Sequence, residues 1–204
     1  MTTNELKVKI LNDFVAANAT SMSVDPDCFS PLYIISRQRY IEIVDEFIED
    51  GLILPDWENP NHVDWLVIIT PKARELINSG VSSLSMLPKG KILKIRDCEP
   101  FDIFVENLES MSIRIRAAIK ERCLEISGCD VGYWVEKHLG DFDHEYWYCF
   151  DEHHNDRLFK ILSGIKQERD VKKILLAFCS GIDGLSKLQA LCKQLEIRYN
   201  YYSY

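Results

Sequence analysis

The sequence predicts an α+β protein made of two domains, and three observations support that fold class. Residues 1–80 place apolar side chains at helical spacing and also contain two short apolar runs of strand length. Serine and glycine are frequent in the segment SGVSSLSMLPKG, as they are in linkers. Long stretches farther along alternate apolar and polar residues, between helical segments. We therefore predict an N-terminal domain over 1–80, a linker over 81–92, and an α+β domain over 93–204 with a small, mainly antiparallel sheet.

The composition of the 204 residues is that of a globular protein. Hydrophobic residues make up 47% and charged residues 27%, which is the ordinary range for a packed domain. No run approaches the roughly 18 apolar residues of a membrane span, and the first residues lack the apolar stretch of a signal peptide. Seven scattered cysteines without a CxxC pair indicate reduced thiols. We expect a cytoplasmic protein that has no contact with a membrane.

The charge pattern bounds the class of partner. The net charge is −8, and it is spread evenly, because residues 1–95 carry 9 Lys and Arg against 13 Asp and Glu, and the remainder carries 15 against 19. Proteins that bind nucleic acid usually show a basic face or a basic tail. Neither half of this chain is basic, so the composition favours a protein partner over a nucleic acid.

The N-terminal domain carries clear helix boundaries. Ser36 can cap a helix that ends at Gly51, a residue free to adopt the left-handed conformation after a helix. Thr70 followed by Pro71 is a typical helix start. The predicted elements are a helix over 5–17, a short helix near 29–35, a helix over 37–50, strands over 52–54 and 63–69, and a helix over 71–79.

This order of elements resembles the winged helix-turn-helix module. The segments EFIEDGLIL and LVIITPKARELI are similar to the passage from its third helix towards the wing and to its closing strand and helix. The resemblance covers residues 5–80. It implies that the helix beginning at Arg37 occupies the position that enters the DNA major groove in this family, while the loop PDWENPNH forms the wing that touches the backbone.

The charges around that helix leave two functions open. Two arginines stand at its N-terminal end, where base edges or phosphates would be contacted, but five carboxylates follow them. A good duplex binder neutralises roughly 6–10 phosphates, which these cations cannot supply without dimerisation. We therefore expect an acidic winged helix that binds a protein partner with a basic surface, with DNA binding by a transcription regulator as the alternative. The candidate contact residues are Arg37, Gln38, Arg39, Glu42, Asp56, Trp57 and Glu58.

The C-terminal domain is expected to combine strands and helices. A strand is predicted over KILKIRDC, and two more in SIRIRAAIKERCLEISG, with a turn near Glu121 and Arg122. A helix from Asp130 to Leu139 should stop at Gly140, and HEYWYCF should form a strand with His144, Tyr146, Tyr148 and Phe150 on one face. The remaining predicted elements are a helix capped by Asp151, helices over 171–179 and 185–195, and a final aromatic strand over 197–204.

Three stretches of this domain resemble an uncharacterised bacterial α+β family. They are LEISGCDVG, GDFDHEYWYCFDEHHNDRLFKIL and GIDGLSKLQALCKQLEIRYNYYSY. The resemblance runs over about residues 110–204. It implies a domain boundary and carries no activity with it.

The polar cluster at 141–156 is the densest candidate for chemistry, and we expect it to be structural. A metal site would use His144, Cys149, His153 and His154, but their spacing matches no common zinc pattern, and the first two point to opposite faces of the predicted strand. A cysteine nucleophile paired with a neighbouring histidine lacks a visible orienting group and oxyanion donors. We therefore predict no catalytic residue, no metal and no cofactor.

Four tyrosines crowd into the last six residues of the chain. Tyrosine is enriched at protein interfaces because it buries a large area with little loss of side-chain entropy. We expect one face of this strand to pack inward, and Tyr202 and Tyr204 on the other face to form an interface with a partner or with a second copy in a homodimer. Together these features predict a non-enzymatic interaction or regulatory protein.

Overall fold

The computed structural model describes residues 2–17, 21–56, 65–80, 95–166 and 168–204. The chain forms helices and antiparallel sheets, which confirms the predicted α+β class. It divides into two compact units, the first made of 1–93 with 160–167 and 193–195, and the second of 94–159, 168–192 and 196–204. The predicted linker over 81–92 lies outside the described residues.

The first unit follows the predicted order of helices and contains a small sheet. Its sheet has the order β1-β3-β2 with antiparallel neighbours. The sequence gives no strand pattern at β1, which forms because it pairs with β3, and Val24 extends the pairing by donating its backbone N–H to Trp65 O at 2.8 Å. The elements are α1 (Thr3–Ala16), β1 (Ser21–Ser23), α2 (Pro26–Leu32), α3 (Arg37–Glu49), β2 (Ile53–Pro55), β3 (Leu66–Ile69) and α4 (Pro71–Asn78).

The predicted caps set the ends of these helices. Ser36 Oγ accepts the backbone N–H of Arg39 at 3.2 Å, and Thr70 Oγ1 accepts that of Ala73 at 3.3 Å. Gly51 follows α3 with a φ of +66°, a conformation that suits glycine. These local interactions satisfy helix N–H groups that lack intrahelical partners, so the sequence fixes the ends of α3 and the start of α4.

Aromatic rings from three helices fill the core of the first unit. Phe14 of α1 makes edge contacts with Phe29 of α2, at a centroid distance of 6.2 Å, and with Phe47 of α3, at 6.3 Å. Tyr40 stacks on Phe29 and is fully buried. Burial of each such ring contributes about 1.5–3 kcal/mol, so these contacts hold α1, α2 and α3 together.

The second unit is built on a five-stranded sheet with the order β4-β5-β6-β7-β8, antiparallel throughout. Parts of α6 and α8 belong to the first unit, namely residues 160–166 and 193–194. The elements are β4 (Cys98–Asn107), β5 (Ser112–Lys120), β6 (Cys123–Val131), α5 (Tyr133–Leu139), β7 (Asp143–Phe150), α6 (Glu152–Lys166), α7 (Val171–Cys179), α8 (Gly184–Gln194) and β8 (Asn200–Ser203).

Three boundaries in this unit differ from the sequence-based prediction. Of the predicted strand over KILKIRDC, residues 91–94 lie outside the described residues, residues 95–97 are not in a strand, and β4 begins at Cys98. Register shifts before Phe101 and after Asp102 interrupt the pairing of β4 with β5. Strand β6 continues to Val131, so the next helix starts at Tyr133 instead of Asp130. The last strand starts at Asn200, because only its final residues pair with β7.

The sheet of the second unit buries one face. In β5, Ile113, Ile115, Ala117 and Ile119 are buried, while Arg114, Arg116 and Lys120 on the opposite face are exposed. The register places the buried residues of β5 beside Leu124, Ile126, Gly128 and Asp130 of β6. Asp130 is therefore an acidic side chain in a position that the alternation assigns to the apolar face.

The turn between β5 and β6 stores backbone strain that a substitution should relieve. Glu121 and Arg122 have φ values of +51° and +64°, as in the two-residue hairpin turns that favour asparagine and glycine. We expect Glu121→Asn to raise the free energy of unfolding by about 0.5–1 kcal/mol, because asparagine tolerates this conformation better. Urea unfolding followed by circular dichroism measures the change. Glu125→Gln, an exposed substitution in β6, serves as the control, and a loss of stability in Glu121→Asn would contradict the prediction.

Candidate functional site

The N-terminal turn of α3 places the predicted contact residues at the surface, where carboxylates neutralise the two arginines. Gln38 is exposed, and the side chains of Arg37 and Arg39 are 39% and 37% exposed. Arg37 Nε donates to Asp27 Oδ1 at 2.8 Å, and Arg39 Nη1 donates to Glu42 Oε2 at 2.8 Å. Both charges are thus compensated at the place where a DNA reader would present them to phosphates.

The turn that leads into α3 exposes two aliphatic side chains, which we call the aliphatic tip. Leu32 is 68% exposed and Ile34 is 91% exposed. Ile34 also has a φ of +57°, which is unusual for a β-branched residue and costs roughly 1–2 kcal/mol. The sequence shows only an apolar run here, and the exposure follows from the backbone turn, in which Ile34 N–H donates to Pro31 O at 3.1 Å.

Of the three predicted wing residues, the structure describes only Asp56. Its backbone N–H donates to Leu66 O at 2.8 Å, which extends the pairing of β2 with β3 by one residue. Trp57 and Glu58 lie outside the described residues. The contribution of the wing to binding therefore stays a prediction from the sequence.

The C-terminal strand β8 is an edge strand with exposed tyrosines on both faces. Tyr202 is 50% exposed and Tyr204 is 86% exposed, while Tyr201 on the other face is also 49% exposed. The face in phase with Tyr201 is turned towards the buried side of the sheet, where Tyr199 is partly buried against Phe150 with ring centroids 5.3 Å apart. Tyr201 contacts Tyr148 at 5.1 Å on the same side but stays half exposed. Tyr204 instead makes an edge contact with Trp147 at 5.7 Å.

A further exposed apolar group surrounds α5, and we call it the α5 patch. Gly132 N–H donates to Phe142 O at 2.9 Å, which brings the loop after α5 back beside the start of the helix. Scattered exposed apolar residues are ordinary, whereas clustered ones mark contact surfaces. The patch consists of Tyr133 at 66%, Trp134 at 47%, Leu139 at 57% and Phe142 at 54% exposure.

The polar cluster at 141–156 is divided among three environments. His144 and Cys149 point to opposite faces of β7, as predicted. Asp151 caps α6 by accepting the backbone N–H of His154 at 2.9 Å, and the same carboxylate contacts the imidazole Nδ1 of His154. Burial raises the pKa of the Cys149 thiol, which disfavours the thiolate that a nucleophile needs. Within the described ranges, no group of three or more His, Cys, Asp or Glu residues is arranged to hold a metal ion.

A polar cavity of about 260 Å³ lies between the sheet and α8 in the second unit. This cavity is not among the sites predicted from the sequence, although an acidic residue in the apolar phase of β6 is a signal for it. We call it the Asp130 cavity. Its lining residues are Ile113, Ile115, Asp130, His144, Tyr146, Tyr148, Ile182, Leu185, Ser186, Gln189 and Tyr201.

Strand register and one glycine shape this cavity. Asp130 lies directly opposite His144, and Gly128 lies opposite Tyr146. The ring of Tyr146 covers Gly128 so closely that a Cβ atom there would lie 2.0 Å from it. On the other wall, Gln189 Nε2 donates to the Tyr148 hydroxyl at 2.8 Å, which fixes the position of that hydroxyl.

Asp130 is an acidic side chain of the cavity that is held in an unfavourable environment. Its Oδ1 atom is buried and has no hydrogen-bond partner among the described residues. Burial raises the pKa of Asp130, while nearby His144 and a hydrogen bond from Tyr146 oppose the shift. Burial and the neighbouring Asp130 in turn raise the pKa of the Tyr146 hydroxyl, which therefore stays protonated and can donate.

The raised pKa gives a stability prediction with a definite sign. Because the folded state holds the Asp130 proton more tightly than the unfolded chain does, ionisation destabilises the fold as pH rises from the unfolded-state pKa through the folded-state pKa. The polar residues that line the cavity with Asp130 are His144, Tyr146 and Tyr148 from β7, Ser186 and Gln189 from α8, and Tyr201 from β8. We expect Asp130→Asn to raise the midpoint of urea unfolding at pH 7.

The same comparison at pH 3 provides the internal control. There the native carboxyl is largely protonated in both states, so the difference between Asp130→Asn and the native chain should shrink. Glu125→Gln, exposed on the opposite face of β6, should show no comparable pH-dependent gain. The gain in the unfolding midpoint of Asp130→Asn over the native chain should be larger at pH 7 than at pH 3. A smaller gain at pH 7 would contradict the raised pKa of Asp130.

No protein-family model matches this chain, and neither the curated proteins nor the solved structures contain a match to it. Within the described residues, no single helix combines the length and apolarity of a membrane span. Helices α7 and α8 would meet that criterion only as a pair, and they are bent by 104° at the break between them.

Proposed function

We propose that this chain is a non-enzymatic interaction or regulatory protein, and that its first unit is a winged-helix module that binds a protein partner. The succession of α1, β1, α2, α3, β2 and β3, with the sheet order β1-β3-β2, supports the proposed module. A fold of this kind does not fix its ligand. The choice of partner therefore depends on the surface chemistry around α3.

The aliphatic tip beside the neutralised start of α3 carries the proposal. Leu32 and Ile34 precede Arg37 by a few residues and expose most of their side chains. An exposed isoleucine in a left-handed conformation carries two free-energy costs. The first is the exposure of its apolar side chain to water, and the second is its backbone conformation. Burial against an apolar surface of a partner would offset the first of these costs, whereas a phosphate backbone offers no such surface.

The acidic residues of α3 indicate that the rest of the partner surface is basic. Glu42 keeps a side chain that is 47% exposed despite its contact with Arg39, and other acidic residues follow it on α3. Complementary charges at the rim of an interface steer association and fix its register. The expected partner surface is an apolar hollow for the aliphatic tip, bordered by Lys and Arg side chains.

The C-terminal edge supplies a second contact in this proposal. Tyr202 and Tyr204 present half or more of their side chains, and the outer edge of β8 pairs with no other strand among the described residues. Such an edge can pair with a strand of a partner or with its own copy in a homodimer. We also place the protein in the cytoplasm, because all seven cysteines are free thiols, which suits a reducing compartment.

An affinity measurement on tip variants tests this function. The partner is captured from the native host with tagged protein, purified, and titrated against the native chain and the double variant Leu32→Asp, Ile34→Asp. We expect the double variant to lower the affinity at least about tenfold, because a carboxylate cannot be buried in an apolar hollow without a large penalty. Both side chains are exposed, so we expect the double variant to stay folded, and circular dichroism checks this.

A matched control variant separates the tip from general surface effects. Val105→Asp introduces the same group at a half-exposed apolar position on the outer strand β4 of the second unit. This variant should leave the affinity within about twofold, since isolated surface substitutions change free energies by less than about 0.5 kcal/mol. Equal loss in both variants, or no loss in the tip variant, would rule out the tip as the binding surface.

DNA binding by a transcription regulator remains the second candidate, because one observation favours it. Arg37, Gln38 and Arg39 occupy the exposed first turn of α3, which is the part of a recognition helix that contacts base edges. For this candidate, DNA phosphates must displace Asp27 and Glu42 from the arginines, and the exposed ion pairs would yield most readily at low salt, where phosphate contacts are strongest. Titration with duplex DNA distinguishes the two candidates.

A further inference from the structure

We propose that the Asp130 cavity binds a small organic cation with N–H donors, either an alkylammonium or a guanidinium head group. This site lies wholly in the second unit and is independent of the protein-binding surface proposed for the first. Three features of the cavity favour such a ligand: an acidic side chain with an unpartnered oxygen, aromatic walls and a small volume.

The acceptor is the carboxylate of Asp130. Its buried Oδ1 atom lacks a hydrogen-bond partner among the described residues, and none of the described lining residues is a lysine or an arginine. A buried polar atom without a partner is destabilising, and the rest of the Asp130 side chain is partly buried. Asp130 lines the cavity, so a ligand with a positive charge and an N–H donor would neutralise its carboxylate there, and it would satisfy Oδ1 once the side chain turns that oxygen towards the cavity.

The aromatic walls suit the same kind of ligand. Tyr146 and Tyr148 lie side by side on β7, with ring centroids 6.0 Å apart, and Tyr201 lies 5.1 Å from Tyr148. The faces of aromatic rings carry partial negative charge and attract cations, most strongly where water is excluded. The aromatic rings and the carboxylate therefore both favour a positively charged ligand.

The size and the apolar floor of the cavity limit the ligand to a head group with a short chain. The volume of about 260 Å³ is smaller than the ~300–1,000 Å³ of sites for drug-sized molecules. Ile113 and Ile115 form an apolar floor from β5, and Leu185 contributes from α8. These side chains would contact the alkyl part of the ligand while Asp130 holds its nitrogen.

Anionic ligands fit this chemistry poorly. A carboxylate or phosphate would face Asp130 without a compensating lysine or arginine among the described lining residues. Among the described lining residues only His144 could supply positive charge, and it already lies directly opposite Asp130 in the strand register. A cation is therefore the ligand that would offset the cost of leaving the Asp130 carboxylate without a partner.

Calorimetric titration of the full chain tests the site. The probes are butylammonium chloride and butylguanidinium chloride, with N-butylurea as the neutral counterpart of the second. We expect saturable binding of at least one cation, at least about tenfold tighter than that of N-butylurea. Absence of saturable binding of both cations at millimolar concentration, or equal binding of N-butylurea, would overturn the proposal.

Three variants locate the binding in the cavity. Asp130→Asn should weaken cation binding at least about tenfold, and Ser186→Trp should do the same by filling the mouth of the cavity from an exposed position on α8. Glu125→Gln removes a carboxylate from the opposite, exposed face of the same strand and should leave binding unchanged. Unfolding curves confirm that each variant is folded, and unchanged binding in Asp130→Asn would overturn the assignment.

A last comparison distinguishes a free cation from a basic side chain of a protein. N-acetyl-arginine methylamide carries the same guanidinium group on a peptide backbone. Binding as tight as that of butylguanidinium would indicate that the cavity accepts an arginine side chain. Binding about tenfold weaker would indicate a free amine or guanidine, because the peptide backbone would then obstruct entry. Either result presupposes the cation site, which the Asp130→Asn arm tests separately.

Discussion

Replacing Gly164 with alanine is expected to lower the free energy of unfolding by about 2 kcal/mol or more. Gly164 lies in α6, and a Cβ atom there would lie 2.1 Å from the backbone oxygen of Ile48 and 2.9 Å from Glu49 Cα. Both partners are backbone atoms at the end of α3, so a rotamer change cannot remove the clash. The helix and the end of α3 must separate, which exposes part of the core of the first unit.

The sign of the change in stability distinguishes a close backbone contact at Gly164 from an ordinary exposed helical glycine. At an exposed helical position, replacement of glycine by alanine stabilises a protein by up to about 1 kcal/mol, because alanine has the higher helix propensity. Urea unfolding followed by circular dichroism measures the change, and Lys160→Ala, at an exposed position of the same helix, serves as the control with an expected effect below about 0.5 kcal/mol. Unchanged or increased stability of Gly164→Ala would show that the close approach is absent.

Replacing Gly128 with valine is expected to destabilise the second unit by about 2–3 kcal/mol. Even the first carbon of the new side chain would lie 2.0 Å from the ring of Tyr146, a residue that is only 9% exposed. The ring would have to leave its place, and its hydroxyl would move away from Asp130. The substitution should therefore also abolish binding in the Asp130 cavity.

A double-mutant cycle attributes this loss to Tyr146. In a Tyr146→Ala background the space above Gly128 is open, so the additional cost of Gly128→Val should fall by at least about 1 kcal/mol. Ser127→Ala, the neighbouring residue on the opposite face of β6, should change the stability by less than about 0.5 kcal/mol. Thermal unfolding measures all of these variants, and additive effects of the two substitutions would contradict the contact.

The sequence predicts those features that depend on neighbouring residues in the chain. Ser36 and Thr70 start helices through contacts three residues away, which a sequence pattern can reveal. The turn at Glu121 and Arg122 is equally local, because two alternating strands meet there. Strand β7 shows the expected burial of Tyr146, Tyr148 and Phe150 on one face, since its alternation is regular.

Features that depend on distant partners were missed. Strand β1 has only three residues and exists because it pairs with β3, and β4 contains register shifts that break its alternation. Asp130 was assigned to a helix, since its place on β6 depends on pairing with Ile113 and His144. The exposure of Ile34 likewise follows from the turn before α3 and cannot be inferred from an apolar run.

The central claim is that the first unit binds protein and not DNA, and fluorescence anisotropy of a labelled generic duplex tests it most directly. The protein is titrated into the duplex at low and then at physiological salt, beside the double variant Arg37→Ala, Arg39→Ala. We predict no saturable rise in anisotropy at physiological salt, because Asp27 and Glu42 neutralise the arginines at the start of α3. Micromolar or tighter binding that falls steeply with salt and disappears in the double variant would contradict the claim and assign DNA binding to this unit.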